Sequence, residues 1–163
     1  MSCIGIITET KKESELEQKV KNTFKDLEKK ATIIIINQKS IENIKNVRFE
    51  LIILETNIFG NSNLIKKILM NSERILVNSD FNGNLEVIQN LKLSVITYGF
   101  NSKATITASS VNDSNGILMC LQRSIKNINN KIIEPQEIKI YNQDDKNTHY
   151  VDMILLIITL LYS

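Results

Sequence analysis

The sequence predicts an α/β fold, a mostly parallel sheet with helices on both faces, extended by antiparallel β structure and a closing helix. Three observations carry this. Between Cys3 and Tyr98 short continuous apolar runs alternate with segments of helical period. At Val95–Val111 a continuous run breaks at Gly99 and restarts from Thr105 as an alternating strand, with Ile106 and Ala108 on one face and Thr105, Thr107 and Ser109 on the other. That change marks the passage from a sheet covered on both sides to one with a wet face. Finally, Thr148–Tyr162 is apolar nearly all round, the pattern of a helix buried against a sheet.

Taken in order, Cys3–Ile7 reads as the first buried strand. Ser14 and Glu17 have capping-box spacing after the polar stretch Thr8–Glu13. The helix they open carries Leu16, Val20, Phe24 and Leu27 on one stripe, with Glu15/Lys19 and Glu17/Lys21 as i,i+4 pairs on the wet side. Thr32–Ile36 ends in four consecutive isoleucines and reads as the strongest buried parallel strand of the chain. Ser40–Asn46 predicts a short helix, and Phe49–Glu55 a third strand ending in a carboxylate. Ser62 is placed to cap a helix through Met70, with Leu64, Ile65, Ile68 and Leu69 inward. Arg74–Asn78 is a fourth strand, Asn84–Leu91 a short helix and Val95–Tyr98 a fifth strand, all joined by right-handed crossovers.

Beyond Gly99, Thr105–Val111, Ile117–Ser124 and Ile132–Ile140 read as strands, with turns at Asp113–Gly116 and Asn127–Lys131. Pro135 suits an edge or a bulge. No linker or repeat divides the chain, so one domain is expected over 1–163, with a parallel α/β part at 1–99, an antiparallel part at 100–147 and the closing helix at 148–163.

Composition narrows the function classes. Hydrophobic residues make up 42%, which argues against disorder. The net charge of +2 supplies no basic field for nucleic acid, so no nucleic-acid partner is expected. Cys3, Cys120 and the single His149 have no metal-ligand spacing, and the two cysteines are expected as reduced core thiols. Glu9 and Lys11 interrupt the first apolar run too early for a signal peptide, and Met153–Tyr162 is about half of what spans a bilayer. The expectation is a cytoplasmic protein without membrane insertion.

Three stretches resemble the central ATP-binding domain of the Mur ligases, the family that adds amino acids to the UDP-linked peptidoglycan precursor. Ile75–Asp80, ending Asn78-Ser79-Asp80, leads through a short helix into Val95–Phe100. This is similar to the family's strand ending Asn-x-Asp, a helix, then a strand ending in an aromatic residue and a glycine. Thr148–Leu161 resembles the family's closing helix, and Ile4–Thr8 falls where the family writes its P-loop strand. The resemblance implies a P-loop-NTPase-like sheet and ancestry in ATP-dependent ligation.

It also implies losses. A P-loop needs glycines to turn backbone N–H groups toward phosphate, a Lys for the β/γ-phosphates and a hydroxyl for Mg²⁺. The family's Gly-Thr-x-Gly-Lys-Thr falls on Thr8–Glu13, where only Lys12 survives, Glu13 replaces the Mg²⁺ hydroxyl and Glu9 adds a second acid. Glu55 matches the family's magnesium-binding Glu, but the interval to Ile75 is too short for the segments that complete that metal site. Thr148 and His149 fall on the family's His-Asn and Asp152 on its second Asn; a carboxylate only accepts where an amide both donates and accepts. On this resemblance, no counterpart of the family's flanking substrate domains is expected within residues 1–163.

Three functions are therefore in view. The first is a non-catalytic Mur-ligase-like domain, a pseudoenzyme serving as a binding or structural module in peptidoglycan or spore-envelope assembly. It carries no cofactor and has a protein partner or self-association. The second is a small-nucleotide or UDP-precursor binder, for which Thr8, Lys12, Asn78, Asp80, His149 and Asp152 are the vestigial nucleotide-binding residues, Glu55 is the metal candidate, and ATP with Mg²⁺ is the ligand. The third is one subunit of a two-chain ATP-dependent amide ligase. No acid–base pair, nucleophile or metal cluster suggests catalysis by this chain alone.

Overall fold

In the computed structural model, which describes residues 1–8, 13–57, 62–110, 116–141 and 149–163, eight strands form one mixed sheet. The parallel part contains β1 (Ser2–Ile7), β2 (Ala31–Ile36), β3 (Phe49–Leu54), β4 (Ser72–Asn78) and β5 (Ser94–Tyr98). The second part contains β6 (Ile106–Ser110), β7 (Ile117–Leu121) and β10 (Gln136–Ile140), while β8 (Ile125–Lys126) and β9 (Ile132–Ile133) form a separate two-stranded ribbon. Across the main sheet the order is β10-β7-β6-β5-β4-β3-β1-β2. The chain thus steps from β1 to β2 on one side, then returns across β1 to β3 and runs outward the other way. Between β1 and β3 lies a topological switch point, where the C-terminal strand ends leave a crevice.

The faces follow from that reversal. On one face lie α1 (Glu13–Asp26) and α4 (His149–Tyr162), whose Leu16, Val20, Phe24, Met153, Ile157 and Leu161 share a core with Ile4, Leu51 and Leu76. The other face is covered by α2 (Ser62–Met70), α3 (Asn82–Ile88) and a 3₁₀ turn at Ile41–Asn43, packed on Ile7, Phe49, Ile52 and Ile75. Both expected ion pairs on α1 form, Lys19–Glu15 at 3.0 Å and Lys21–Glu17 at 2.5 Å. Ser14 is inside α1 rather than ahead of it, because the helix already includes Glu13.

Several expectations change. The isoleucine run at β2 is a sheet edge, and Ile33, Ile34 and Ile35 are only half-buried. The helix expected at 40–46 shrinks to the single 3₁₀ turn. The strand expected over 132–140 is divided at Pro135 into β9 and β10, and β10 is the sheet's other edge. Proline has no N–H for a ladder, which accounts for the break. The turn expected at 113–116 falls largely outside the described residues.

Strands β5 and β6 are parallel, yet only seven residues separate them, and they pair only at Tyr98–Ile106. Parallel strands lying side by side need a crossover of roughly a dozen residues or more. The short link suffices because β6 runs on from the end of β5 rather than beside it. Thr97 and Thr105 replace part of the missing ladder: the Thr105 N–H donates to Thr97 Oγ1 at 2.9 Å. The turn at Asn127 then fastens the ribbon to the end of α4, since the Ile128 N–H donates to the Leu161 carbonyl at 3.0 Å.

Gly5 tests the packing between β1 and the second core. A Cβ there would lie 2.9 Å from Ile36 Cδ1 and 3.1 Å from the Phe49 ring. Gly5→Ala is expected to destabilise the fold by about 1–3 kcal/mol in urea denaturation. Ile36→Val removes the nearest clashing atom and should restore part of that loss in the double variant, so a purely additive result would contradict this packing.

Candidate functional site

The crevice is built by strand ends. After β1 and β3 leave the sheet, the Glu55 N–H still donates to the Ile7 carbonyl at 3.1 Å, which extends the ladder by one step. Thr8 and Glu55 are thereby set side by side, and Thr8 Oγ1 donates to Glu55 Oε2 at 2.8 Å in a buried pair. Glu13, on the position of the family's Mg²⁺ hydroxyl, instead accepts from the Asn37 amide at 2.7 Å and ties the start of α1 to the end of β2. Lys12 lies outside the described residues.

The densest bonding surrounds Asp80. One carboxylate oxygen accepts the Phe100 N–H at 2.7 Å and the Tyr150 hydroxyl at 2.8 Å. The other accepts the Asn101 N–H at 3.1 Å and the Asn101 side-chain amide at 2.8 Å. Asn78 orients the group from behind, its Oδ1 accepting the Asp80 N–H at 3.1 Å. One carboxylate therefore joins the end of β4, the loop after β5 and the first turn of α4.

Gly99 is a requirement of this arrangement. A Cβ on it would lie 2.6 Å from Asp80 Oδ1 and 2.7 Å from its Cγ, at a φ of +155°. No side chain fits there while the carboxylate stays in place.

Burial alone would push the Asp80 carboxyl up, but the bonds from Asn101, the Phe100 N–H and Tyr150 outweigh it and hold the pKa below the usual aspartate value. Burial, and then the bond to Asp80, push Tyr150 up to about 12, with the Asn78 amide acting the other way. Tyr98 is raised well above its ordinary value, by burial first and then by the charges of Glu55, Tyr150 and Asp80. The Thr8–Glu55 pair and Asp80 follow the C-terminal ends of the neighbouring strands β1, β3 and β4, so both lie at the same end of the sheet.

Of the sequence-predicted residues, Asn78 and Asp80 come together directly, and Thr8 and Glu55 meet as a second pair. His149 begins α4 and sets its ring edge-on to Phe100, with centroids 6.0 Å apart. Asp152 follows in the first turn of α4, where a carboxylate meets the positive end of the helix dipole. Tyr98, Asn101 and Tyr150 were not singled out by sequence reasoning. Tyr150 reaches Asp80 across 70 positions, and no local pattern announces such a contact. Among the described residues, four buried polar atoms here have no hydrogen-bond partner of regular geometry: Asn78 Nδ2, Asn84 Oδ1, the Tyr98 hydroxyl and His149 Nδ1. Among the described residues, no three His, Cys, Asp or Glu side chains are grouped so as to hold a metal ion. No helix among them is long and apolar enough to cross a membrane. No protein-family model matches the chain, and no curated protein matches it.

Two outcomes follow for Asp80. Because folding lowers its pKa, its contribution is complete above the unfolded value of about 3.9 and is lost as pH falls through the lower folded value. Asp80→Asn should cost about 1–3 kcal/mol at pH 7. The gap to the parent protein should narrow as urea titrations are taken below about pH 4; a constant gap would show that the charge is not what the cluster uses. Gly99→Ala should displace the carboxylate, so in an Asp80→Ala background it should cost clearly less than on its own, a coupling of about 0.5–3 kcal/mol in the cycle.

Proposed function

We propose that this chain is a non-catalytic domain of Mur-ligase type, a pseudoenzyme that works as a binding or structural module. The observation that supports this most is that Asp80's two carboxylate oxygens already accept four donors from the chain itself. A carboxylate so engaged holds its own fold together and has little capacity left for a metal or for proton transfer. Thr8 with Glu55 points the same way, since both candidate ligand groups are bonded to each other within the protein. A place in peptidoglycan or spore-envelope assembly rests on the family resemblance alone.

A second reading, a small-nucleotide or UDP-precursor binder, is favoured by a separate observation. The Tyr98 hydroxyl is buried with no hydrogen-bond partner among the described residues, at the C-terminal end of β5, the end of the sheet where α/β folds take ligands.

Thermal-shift titrations with ATP, ADP and UDP-sugars, with and without Mg²⁺, separate the two. A ligand at 100 times its dissociation constant adds about 2.7 kcal/mol of stability. The first reading expects no shift with any of them and no phosphate release. An ATP shift abolished by Lys12→Ala, or a UDP-sugar shift abolished by Tyr98→Phe, would replace it with the second.

A further inference from the structure

The main sheet has two edges, and they differ. On β10 the exposed Glu137 and Lys139 alternate with half-buried Ile138 and Ile140, and Pro135 precedes the strand. Charges and a nearby proline are the ordinary protection of an edge against pairing with another chain. On β2 the sequence is Ala31-Thr32-Ile33-Ile34-Ile35-Ile36, with no charge and no proline, and its register with β1 runs from Ser2–Ala31 to Ile7–Ile36 without a bulge.

The phase of β2 is fixed by the Ser2 N–H, which donates to the Lys30 carbonyl at 3.1 Å. Backbone groups alternate in direction along a strand, so residues 30, 32, 34 and 36 face β1 and Ala31, Ile33 and Ile35 face outward. The Ile35 carbonyl is taken by the Ser40 hydroxyl at 3.1 Å, which ends the open stretch. Among the described residues, no hydrogen bond reaches both groups of Ala31, both of Ile33, or the Ile35 N–H.

Beside this edge, on the α1 face, a groove of about 390 Å³ has Phe24 and Ile33 in its floor and Lys21, Lys25, Lys29 and Lys30 in its walls, with no acid among the lining residues. Lys21 pairs with Glu17, while Lys25, Lys29 and Lys30 have no ion-pair partner among the described residues. An open backbone edge and three lysines without an ion-pair partner among the described residues meet at the same strand.

We infer that β2 is a docking edge for an extended acidic segment of a partner protein, added to the sheet as a further strand. Its backbone pairs with Ala31–Ile35, and its alternate carboxylates face Lys25, Lys29 and Lys30. A second copy of this chain fits less well. Pairing β2 with β2 antiparallel about a two-fold axis brings both lysine sets onto one face of the joined sheet, with no lining acid to meet them. The inference does not use the crevice, so its test is independent of the nucleotide titrations.

The test uses the full chain and a labelled, end-blocked peptide of alternating Glu and Val, six residues long, followed by fluorescence anisotropy. Saturable binding is expected, weakened by added salt and by at least about tenfold in Lys25→Glu/Lys29→Glu/Lys30→Glu, whose exposed changes leave the circular dichroism unaltered. Two further peptides carry N-methyl groups on the glutamate amides or on the valine amides. Only alternate amides of an added strand face β2, so one of these should lose binding and the other keep it. Absence of saturable binding, equal behaviour of the two methylated peptides, a dimer that competes with the peptide, or binding to phosphatidylglycerol vesicles in its place would overturn the proposal.

Discussion

The Asp80 carboxylate occupies the space that a side chain on residue 99 would need, and the neighbouring architecture follows from that exclusion. With glycine at 99 the chain leaves β5 close over the carboxylate, presenting the Phe100 and Asn101 N–H groups to it. The loop is then short enough for β6 to start at Tyr98–Ile106 and run on beyond the parallel sheet. The same carboxylate takes the Tyr150 hydroxyl and so sets where α4 begins. Below that point α4 buries Met153, Ile154, Ile157 and Ile158 against the sheet, an apolar interface whose position depends on where its first turn is held. A polar contact of modest net energy thus selects the geometry in which a much larger apolar term is collected.

The resemblance gains a physical reading from this contact. The strand ending Asn78-Ser79-Asp80 and the strand ending Tyr98-Gly99 are separated in sequence by a helix. In the fold they are two halves of one device, because the acid and the glycine need each other. Such a pairing does not depend on nucleotide: the groups that keep it in place are Asn78, Asn101, Tyr150 and two backbone N–H groups. It can accordingly persist in a chain whose Thr8–Glu13 segment lacks the glycines of a phosphate cradle.

Much of the fold was legible because side-chain periodicity reports which faces of an element are covered. Leu16, Val20 and Phe24 of the expected stripe and the inward set Leu64, Ile65, Ile68, Leu69 are buried as their spacing implies, while Leu27 lies past the end of α1 and is only partly buried. The isoleucines of β2 misled for the same reason. Covered above by α1 and below by the second core, they carry the pattern of a central strand. Lateral pairing is made by backbone groups, which every residue but proline carries alike, so the all-isoleucine run has no mark for the missing neighbour. The site was half legible by a similar logic. Asn78, Asp80 and Gly99 stand in recognisable local wording, whereas Asn101 and Tyr150 join them only through contacts that span 21 and 70 positions.

The crevice and the β2 edge differ in how far their polar groups are already bonded within the chain. In the crevice most of the polar groups are paired with one another, Thr8 with Glu55 and Asp80 with its four donors, and any ligand there must compete with bonds already made. Displacing such a bond leaves a buried group exposed to the full desolvation penalty, which weighs against binding before any contact is gained. Along β2 the backbone groups of Ala31 and Ile33 have no hydrogen-bond partner among the described residues, so a docking strand there displaces none of the bonds shown. There the apolar area beneath Ile33 and the charge of the lysine wall are added without a competing internal bond. On that balance the edge of the sheet is better prepared than its crevice to hold a partner.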